Sequence, residues 1–262
     1  HTQPRAPVDA TQTGEPVVSL RPFWRYYGGK WQAAPWYPAP EHDTIVEPFA
    51  GAAGYSCRYP DRNVILIDKS PIIAGIWEYL IHVSPEEILS IPDIPDGGTV
   101  DDLPACQEAR WLAGFWCNSG AANPRKSQSV WSRLGATVHN WGGWNDRSRH
   151  RIASQVPEIR HWRIICGEYT EAPDIDATWY IDPPYDNKAG SYYPAQPSSF
   201  DDLGRWCEDR PGLAVVCENA GAEWLPFKPL RTIKNTLNTG SREVVWMNRP
   251  PRFWAGVQES LW

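Results

Sequence analysis

The chain has 262 residues, of which 42% are hydrophobic and 21% charged, a composition typical of a globular protein with a sizeable core. No apolar run approaches the roughly 18 residues of a membrane span, so we expect no membrane partner. The six cysteines form no CxxC pair and no Cys/His cluster with zinc-ligand spacing, which predicts free thiols in a reducing compartment and no bound metal.

The first 20 residues are polar and rich in proline and threonine. They lack the charged region followed by an apolar core that is typical of a signal peptide, so we expect a flexible tail over residues 1–20. Beyond it, short apolar runs rich in β-branched residues predict seven strands. These runs are residues 43–49, 63–70, 161–169, 177–181, 212–219, 229–235 and 242–248.

Segments with room for helices separate several of these strands. Residues 71–83 have apolar side chains at helical spacing after Pro71, which suits a first helical position. Residues 198–210 begin with good capping residues, and residues 52–59 follow a glycine turn. Continuous apolar strands that alternate with helices predict an α/β fold with a doubly wound, mostly parallel seven-stranded sheet.

Residues 84–160 interrupt this alternation between the second and third strands. They read as loop-like, Gly-rich and basic, so we expect an inserted module, with residues 21–83 and 161–262 forming the main domain. The net charge of the chain is −6, but residues 109–163 hold nine basic and two acidic residues. Basic residues interleaved with tryptophan are typical of a nucleic-acid contact surface, and a solvated arginine-rich face is the alternative.

Two features follow the first two predicted strands, where ligands bind in open α/β sheets. Gly51, in the stretch EPFAGAAG (47–54), permits a tight turn, although the match to GxGxxG is poor because Ala53 stands where a second glycine is expected. Asp68 ends the second strand and could accept both hydroxyls of a ribose. The alternative role for Asp68 is that of a helix N-cap before Pro71.

The stretch YIDPPY (180–185) ends the fourth predicted strand. An exocyclic amine of a base is a poor nucleophile, and acceptors on its two N–H groups would free its lone pair. Asp182 offers a carboxylate for one N–H and Pro183 a carbonyl for the other, while Tyr185 would stack on the base. The base must first leave the duplex, because its amine cannot be reached there.

At this point the sequence resembles the Dam-like, alpha-group N6-adenine DNA methyltransferases, which use S-adenosylmethionine. Five stretches carry the resemblance in the family's order: RYYGGKW (25–31), VEPFAGAAG (46–54), LIDKS (66–70), CGEYTEAP (166–173) and YIDPPY (180–185). SREVVWMN (241–248) is similar to the family's closing hairpin strand. The resemblance implies a Rossmann-like methyltransferase sheet, with the insertion between strands two and three as a target-recognition module.

The resemblance also implies the site residues. The cofactor S-adenosylmethionine, which leaves as S-adenosylhomocysteine, would contact Tyr26, Gly29, Lys30, Glu47, Phe49, Gly51, Asp68, Glu168 and Tyr169. The flipped adenine would contact Asp182, Pro183, Pro184 and Tyr185. Lys30 is expected near the cofactor carboxylate, Asp68 at the ribose and Glu168 by the cofactor adenine. Glu168 stands where the family commonly has aspartate and is one methylene longer.

With such a core, the basic segment is expected to contact DNA, mostly through phosphates. The expected DNA contacts are Arg125, Lys126, Arg133, Arg147, Arg149 and Arg151. The stretch NWGGWN (140–145) offers an aromatic wedge for the gap left by the flipped base, or a tryptophan pair that packs the module.

The sequence therefore predicts a monomeric, site-specific DNA adenine methyltransferase in the cytoplasm of a bacterium or a phage-infected cell, compatible with phage or restriction–modification use. An N4-cytosine methyltransferase is the nearest alternative, because the same four residues serve any exocyclic amine. An RNA adenine methyltransferase, an inactive DNA-binding homologue and a dinucleotide oxidoreductase are the others.

Overall fold

The computed structural model of the protein describes residues 19–118, 120–130, 132–133, 142–187, 190–193, 196–234 and 240–252. The predicted tail over residues 1–20 lies almost entirely outside these ranges. So do two residues of the predicted aromatic wedge, Asn140 and Trp141.

Within the described residues, seven strands form one sheet. They are β1 (Thr44–Glu47), β2 (Asn63–Asp68), β3 (Arg163–Cys166), β4 (Ala177–Ile181), β5 (Gly212–Asn219), β6 (Lys228–Lys234) and β7 (Gly240–Met247). The order is β3-β2-β1-β4-β5-β7-β6, and all pairs are parallel except β5–β7 and β6–β7. All seven predicted strands are confirmed, and the order is consistent with the methyltransferase fold.

Helices pack on both faces of the sheet. Within the same ranges the α-helices are α1 (Pro71–His82), α2 (Pro85–Ser90), α3 (Gln107–Trp116), α4 (Asp146–Gln155) and α5 (Phe200–Glu208). Ile73 and Trp77 of α1 join the apolar cluster on one face, and Leu203 of α5 joins the cluster on the other. Alternate residues of the inner strands, such as Ile45 and Val46 of β1, belong to opposite clusters, so these strands are buried on both faces.

The helix expected over residues 52–59 is wrong. Only Ser56–Arg58 form a short 3-10 turn. Gly51 and Ala53 both have φ of +45°, in the left-handed region, and a right-handed helix cannot pass through such residues. The chain turns tightly after β1 instead.

Residues 84–160 contain helices, although their sequence lacks a clear helical rhythm. The polar helix α4 buries only a few side chains, such as Ile152 and Ala153. Most of its sequence is therefore polar or charged and shows little apolar periodicity. Apolar residues of α2, α3 and α4 belong to the same cluster as those of α1, for example Ile88 and Leu112. The helices of this segment therefore pack against the main sheet and α1, and the boundaries of a separate module stay a prediction.

None of the helices in the described part of the chain combines the length and apolar character needed to cross a bilayer. A search of the same part for clustered His, Cys, Asp and Glu side chains finds no arrangement that could hold a metal ion.

Candidate active site

A cavity opens at the carboxyl ends of β1, β2 and β4, with about 810 Å³ of empty space including the part open to solvent. Its walls hold all nine residues predicted to contact the cofactor: Tyr26, Gly29, Lys30, Glu47, Phe49, Gly51, Asp68, Glu168 and Tyr169. Asp182 and Pro184 also line it, and Pro183 and Tyr185 are their neighbours in the chain. Five separate stretches of sequence thus meet at one edge of the sheet.

Glycines let the N-terminal stretch approach the loop after β1. A Cβ atom at Gly51 would lie 3.0 Å from the ring of Tyr26, and one at Gly54 would lie 2.6 Å from the backbone nitrogen of Trp31. Contacts this short exclude a side chain at Gly54 without a shift of the backbone. These two glycines therefore let residues 26–31 pack against the loop after β1, where they form one wall of the cavity.

Asp68 closes the turn that forms another part of the wall. Its Oδ2 accepts a hydrogen bond from the Gly51 amide at 2.9 Å, and its Oδ1 accepts one from the Ser70 amide at 2.9 Å. Burial raises the pKa of Asp68 to about 6, against the lowering effect of these two bonds. Ser70, and not Asp68, stands at the N-cap of α1. Each carboxylate oxygen can still accept a further hydrogen bond.

Two aromatic rings and an ion pair form the far end of the cavity. The rings of Phe49 and Tyr169 stack with centroids 5.6 Å apart. Lys69 Nζ lies 2.5 Å from Glu168 Oε1. This end therefore combines apolar ring surface with a carboxylate, which suits a flat, polar-edged ligand.

Glu47 ends β1 and is almost fully buried. Its Oε1 accepts a hydrogen bond from the Ser56 amide at 2.7 Å. Burial raises the pKa of Glu47 to about 8, although the contact with Ser56 lowers it. This side chain is therefore mostly protonated at neutral pH.

Asp182, directly after β4, pairs with Lys30. Lys30 Nζ lies 2.9 Å from Oδ1 and 3.1 Å from Oδ2, and it also donates to the Gly28 carbonyl at 3.1 Å. Burial raises the pKa of Asp182 to about 6, Lys30 lowers it, and Glu243 raises it. Burial pulls the pKa of Lys30 down, but Asp182 and Glu243 outweigh this effect and hold it above its ordinary value. Both side chains are therefore charged at neutral pH.

One oxygen of Asp182 has spare accepting capacity. Oδ1 is buried and, despite its ionic contact with Lys30, accepts no hydrogen bond from any described residue. A buried carboxylate oxygen usually accepts hydrogen bonds, and among the described residues only the ion pair with Lys30 offsets the desolvation of this one. Asp182 is therefore placed to accept a hydrogen bond from a donor in the cavity.

Tyr185 is anchored at both its hydroxyl and its ring. The hydroxyl donates to Glu243 Oε2 at 2.7 Å, and Lys30 Nζ lies 4.7 Å from the ring centroid. Sequence reasoning missed Glu243, the one acidic residue in the stretch SREVVWMN (241–248). A charged residue inside a buried strand is a usable signal, but only the strand order brings it to Tyr185.

The predicted DNA contacts are dispersed, and none of the six lines the cavity. Arg149 is buried against Asp93, which makes its guanidinium unavailable to a phosphate in this conformation. Lys126 pairs with Asp101 at 2.7 Å on the surface. Arg125 and Arg133 are exposed.

Arg147 and Arg151 of α4 lie close to two arginines that sequence reasoning did not single out, Arg21 and Arg25. Burial, together with the charges of the other three arginines, lowers the pKa of Arg151 to about 10. Arg151 donates to the Pro22 carbonyl at 3.1 Å, which ties the N-terminal stretch to α4. We call these four residues the arginine cluster.

Gln155 strengthens the same junction. Its Oε1 accepts from the Arg21 amide at 2.8 Å, and its Nε2 donates to the Arg21 carbonyl at 3.0 Å. One member of the cluster, Arg25, directly precedes Tyr26 and Tyr27, which line the cavity.

Fold and cavity together define the class of the protein. It is an α/β protein with a mixed seven-stranded sheet and a candidate ligand site at the carboxyl edge. No protein-family model and no curated protein matches the chain. The function is therefore inferred from the residues of the site.

Proposed function

We propose that the protein transfers a methyl group from S-adenosylmethionine to the exocyclic N6 of a flipped adenine in DNA. One observation carries the proposal: a single cavity joins Asp68 and the Phe49–Tyr169 ring pair to Asp182 and Pro184. The first group suits a nucleoside, and the second suits an exocyclic amine. In this proposal the sheet is a Rossmann-like methyltransferase sheet, and residues 84–160 are its target-recognition module.

The residues present fit S-adenosylmethionine. Asp68 would accept the ribose hydroxyls, Phe49 and Tyr169 would lie against the adenine, and Glu168 would accept from its amino group. Gly29 and Gly51 carry no side chain, so the backbone can approach the amino-acid end of the cofactor closely. The bound cofactor would supply an activated methyl group on a sulfonium.

Asp182 would raise the nucleophilicity of the target amine. Its Oδ1, which contacts Lys30 but accepts no hydrogen bond from a described residue, is the acceptor for one N–H, and the Pro183 carbonyl is the acceptor for the other. The N6 nitrogen becomes positively charged as it takes the methyl group, and the Asp182 carboxylate stabilises this charge and accepts the released proton. Lys30 keeps Asp182 ionised until then, since it lowers the pKa of that carboxyl.

The arginine cluster supports DNA as the partner. Its four cationic side chains, of which Arg25 directly precedes residues of the cavity wall, can hold phosphates of the strand that delivers the base. In this proposal the expected phosphate contacts are Arg21, Arg25, Arg147 and Arg151.

Incubation of the protein with radiolabelled S-adenosylmethionine and unmethylated plasmid DNA, followed by digestion to nucleosides, tests the proposal. We expect label in N6-methyladenine, and none with Asp182→Ala, which should still bind the cofactor in calorimetry. Label only in N4-methylcytosine would refute adenine as the target, and label only in an RNA substrate would refute DNA. Thermal stabilisation by NAD but not by S-adenosylmethionine would instead support an oxidoreductase.

A further inference from the structure

We propose that Glu243 is a positioning residue of the transfer reaction. It accepts a hydrogen bond from the hydroxyl of Tyr185 and thereby holds the Tyr185 ring beside Asp182. The inference rests on the proposed function, because it assigns a task to Tyr185 at the target base. It adds a residue from β7, a strand outside the DPPY stretch.

The strand order brings Glu243 to the site. β7 runs antiparallel to β5, so its first residues lie at the same edge as the carboxyl ends of the parallel strands. Glu243 pairs with Asn219, the last residue of β5. Its side chain is nearly fully buried and reaches the hydroxyl of Tyr185.

The contacts of Glu243 converge on one oxygen. Its Oε2 accepts from Tyr185 at 2.7 Å and from Tyr37 at 3.4 Å. The first distance is that of a strong, charge-assisted bond, and the second is near the limit of a hydrogen bond. A carboxylate can only accept, so Tyr185 is held as the donor in one ring orientation.

Charge explains why a buried acid can be retained here. Glu243 is among the groups that raise the pKa of both Lys30 and Asp182, so the three side chains lie within electrostatic reach of one another. Lys30 also lies over the ring of Tyr185. One cation between two carboxylates leaves the site with a net negative charge, which favours the positive charge that develops on N6.

Four variants test the role: Glu243→Met, Glu243→Gln, Tyr185→Phe and the double variant Glu243→Met/Tyr185→Phe. We expect Glu243→Met to lower kcat about tenfold to a hundredfold, the worth of a hydrogen bond to a charged group. Calorimetry should show affinity for S-adenosylmethionine within about twofold of the parent. Glu243→Gln, which keeps an acceptor, should restore most of kcat.

Tyr185→Phe should match Glu243→Met, and the double variant should lose no more than either single one, because both remove the same bond. Tyr37→Phe is the matched control, which removes the longer bond to the same oxygen and should leave kcat unchanged. An unchanged kcat in Tyr185→Phe, or losses that multiply in the double variant, would overturn the inference.

A purely structural role is separable from this one. It would lower the melting temperature of Glu243→Met and leave kcat of the folded fraction intact, which would also overturn the inference. If Glu243→Met does not fold, Glu243→Gln and Tyr185→Phe still decide between the outcomes. Failure of the unmodified protein to methylate any substrate would count against the proposed function itself.

Discussion

Lys30 Nζ bridges both carboxylate oxygens of Asp182, at 2.9 Å and 3.1 Å, across 152 residues of sequence. Burial alone would favour the neutral acid, and the cation opposes it, with the result that the pKa of Asp182 lies at about 6. The resemblance to known methyltransferases places Lys30 near the cofactor carboxylate. Lys30 also lowers the pKa of Asp182 in the structure, and this makes the proposed reaction sensitive to pH.

The rate of methyl transfer should fall as the pH drops below about 6, since the accepting carboxylate becomes protonated. Lys30→Met should move this acid limb to higher pH, because the side chain that lowers the pKa of Asp182 is lost. Initial rates with labelled S-adenosylmethionine across the pH range measure both effects. Lys69→Met, a change at the other lysine of the cavity, should leave the limb in place. A limb that is identical in all three proteins would rule out the assigned role of Lys30.

Asp68→Asn should weaken binding of S-adenosylmethionine by about tenfold or more, because the charged acceptor for the ribose hydroxyls is lost. The side chain of asparagine keeps one oxygen that can accept a hydrogen bond from the amide of Gly51 or Ser70, so the turn can be retained. Titration calorimetry gives the affinity, and the melting temperature reports on the fold. Asp61→Asn, on the surface, is the control. Unchanged affinity in Asp68→Asn would contradict the placement of the ribose.

Arg21→Gln and Arg147→Gln should each weaken DNA binding to a similar extent on unrelated sequences, since the arginine cluster is proposed to contact phosphates. Each lost phosphate contact should reduce the slope of log affinity against log salt by about 0.9. Fluorescence anisotropy at several salt concentrations measures this slope. Arg205→Gln, on the exposed face of α5, should leave it unchanged. Equal slopes in all variants would exclude the cluster from the interface.

Glu47→Gln should change how stability depends on pH. The pKa of Glu47 is about 8 in the folded protein and ordinarily 4.5, so the stability it contributes is complete below about 4.5 and is lost as the pH rises through 8. Relative to the variant, the parent should lose up to about 1.4 kcal/mol per pH unit in this window. Denaturant unfolding of both proteins between about pH 5 and pH 8 measures the difference.

The exposed change Glu86→Gln is the control for Glu47→Gln and should follow the parent. If Glu47→Gln also follows the parent throughout this range, Glu47 is not a buried, protonated acid.

Ala53→Gly should change the free energy of unfolding by less than about 1 kcal/mol. Relief of the left-handed conformation contributes about 1 to 2 kcal/mol, and it is offset by the lost methyl burial and the greater freedom of an unfolded glycine. Ala52→Gly, at a neighbouring buried position with negative φ, lacks this relief and should destabilise by about 1 to 2 kcal/mol. Chemical denaturation of the two variants should separate them, and equal losses would show that Ala53 carries no strain.

The inner strands β1, β4 and β5 were predictable because their apolar runs are continuous, and a strand buried on both faces requires such a run. The polar helix α4 was not predictable, because it buries few of its side chains and most residues in its sequence are polar or charged. The helix expected over residues 52–59 failed for a local reason. Ala53 has a left-handed backbone conformation, which an alanine in the sequence gives no reason to predict.

By itself the sequence determined the strands, the turn at Gly51 and the place of Asp68 and Asp182 at one edge of the sheet, since each of these depends on neighbours along the chain and on the shared edge of parallel strands. Most of the other predicted cavity residues were implied by the resemblance. Only the tertiary structure decided which charges meet. Lys30 forms an ion pair with Asp182, and Glu243 accepts a hydrogen bond from Tyr185. Arg21 lies near Arg151, while Arg149 is buried in an ion pair with Asp93. Ion pairs and hydrogen bonds act over a few ångströms between residues far apart in sequence, so strand order and burial had to be known first.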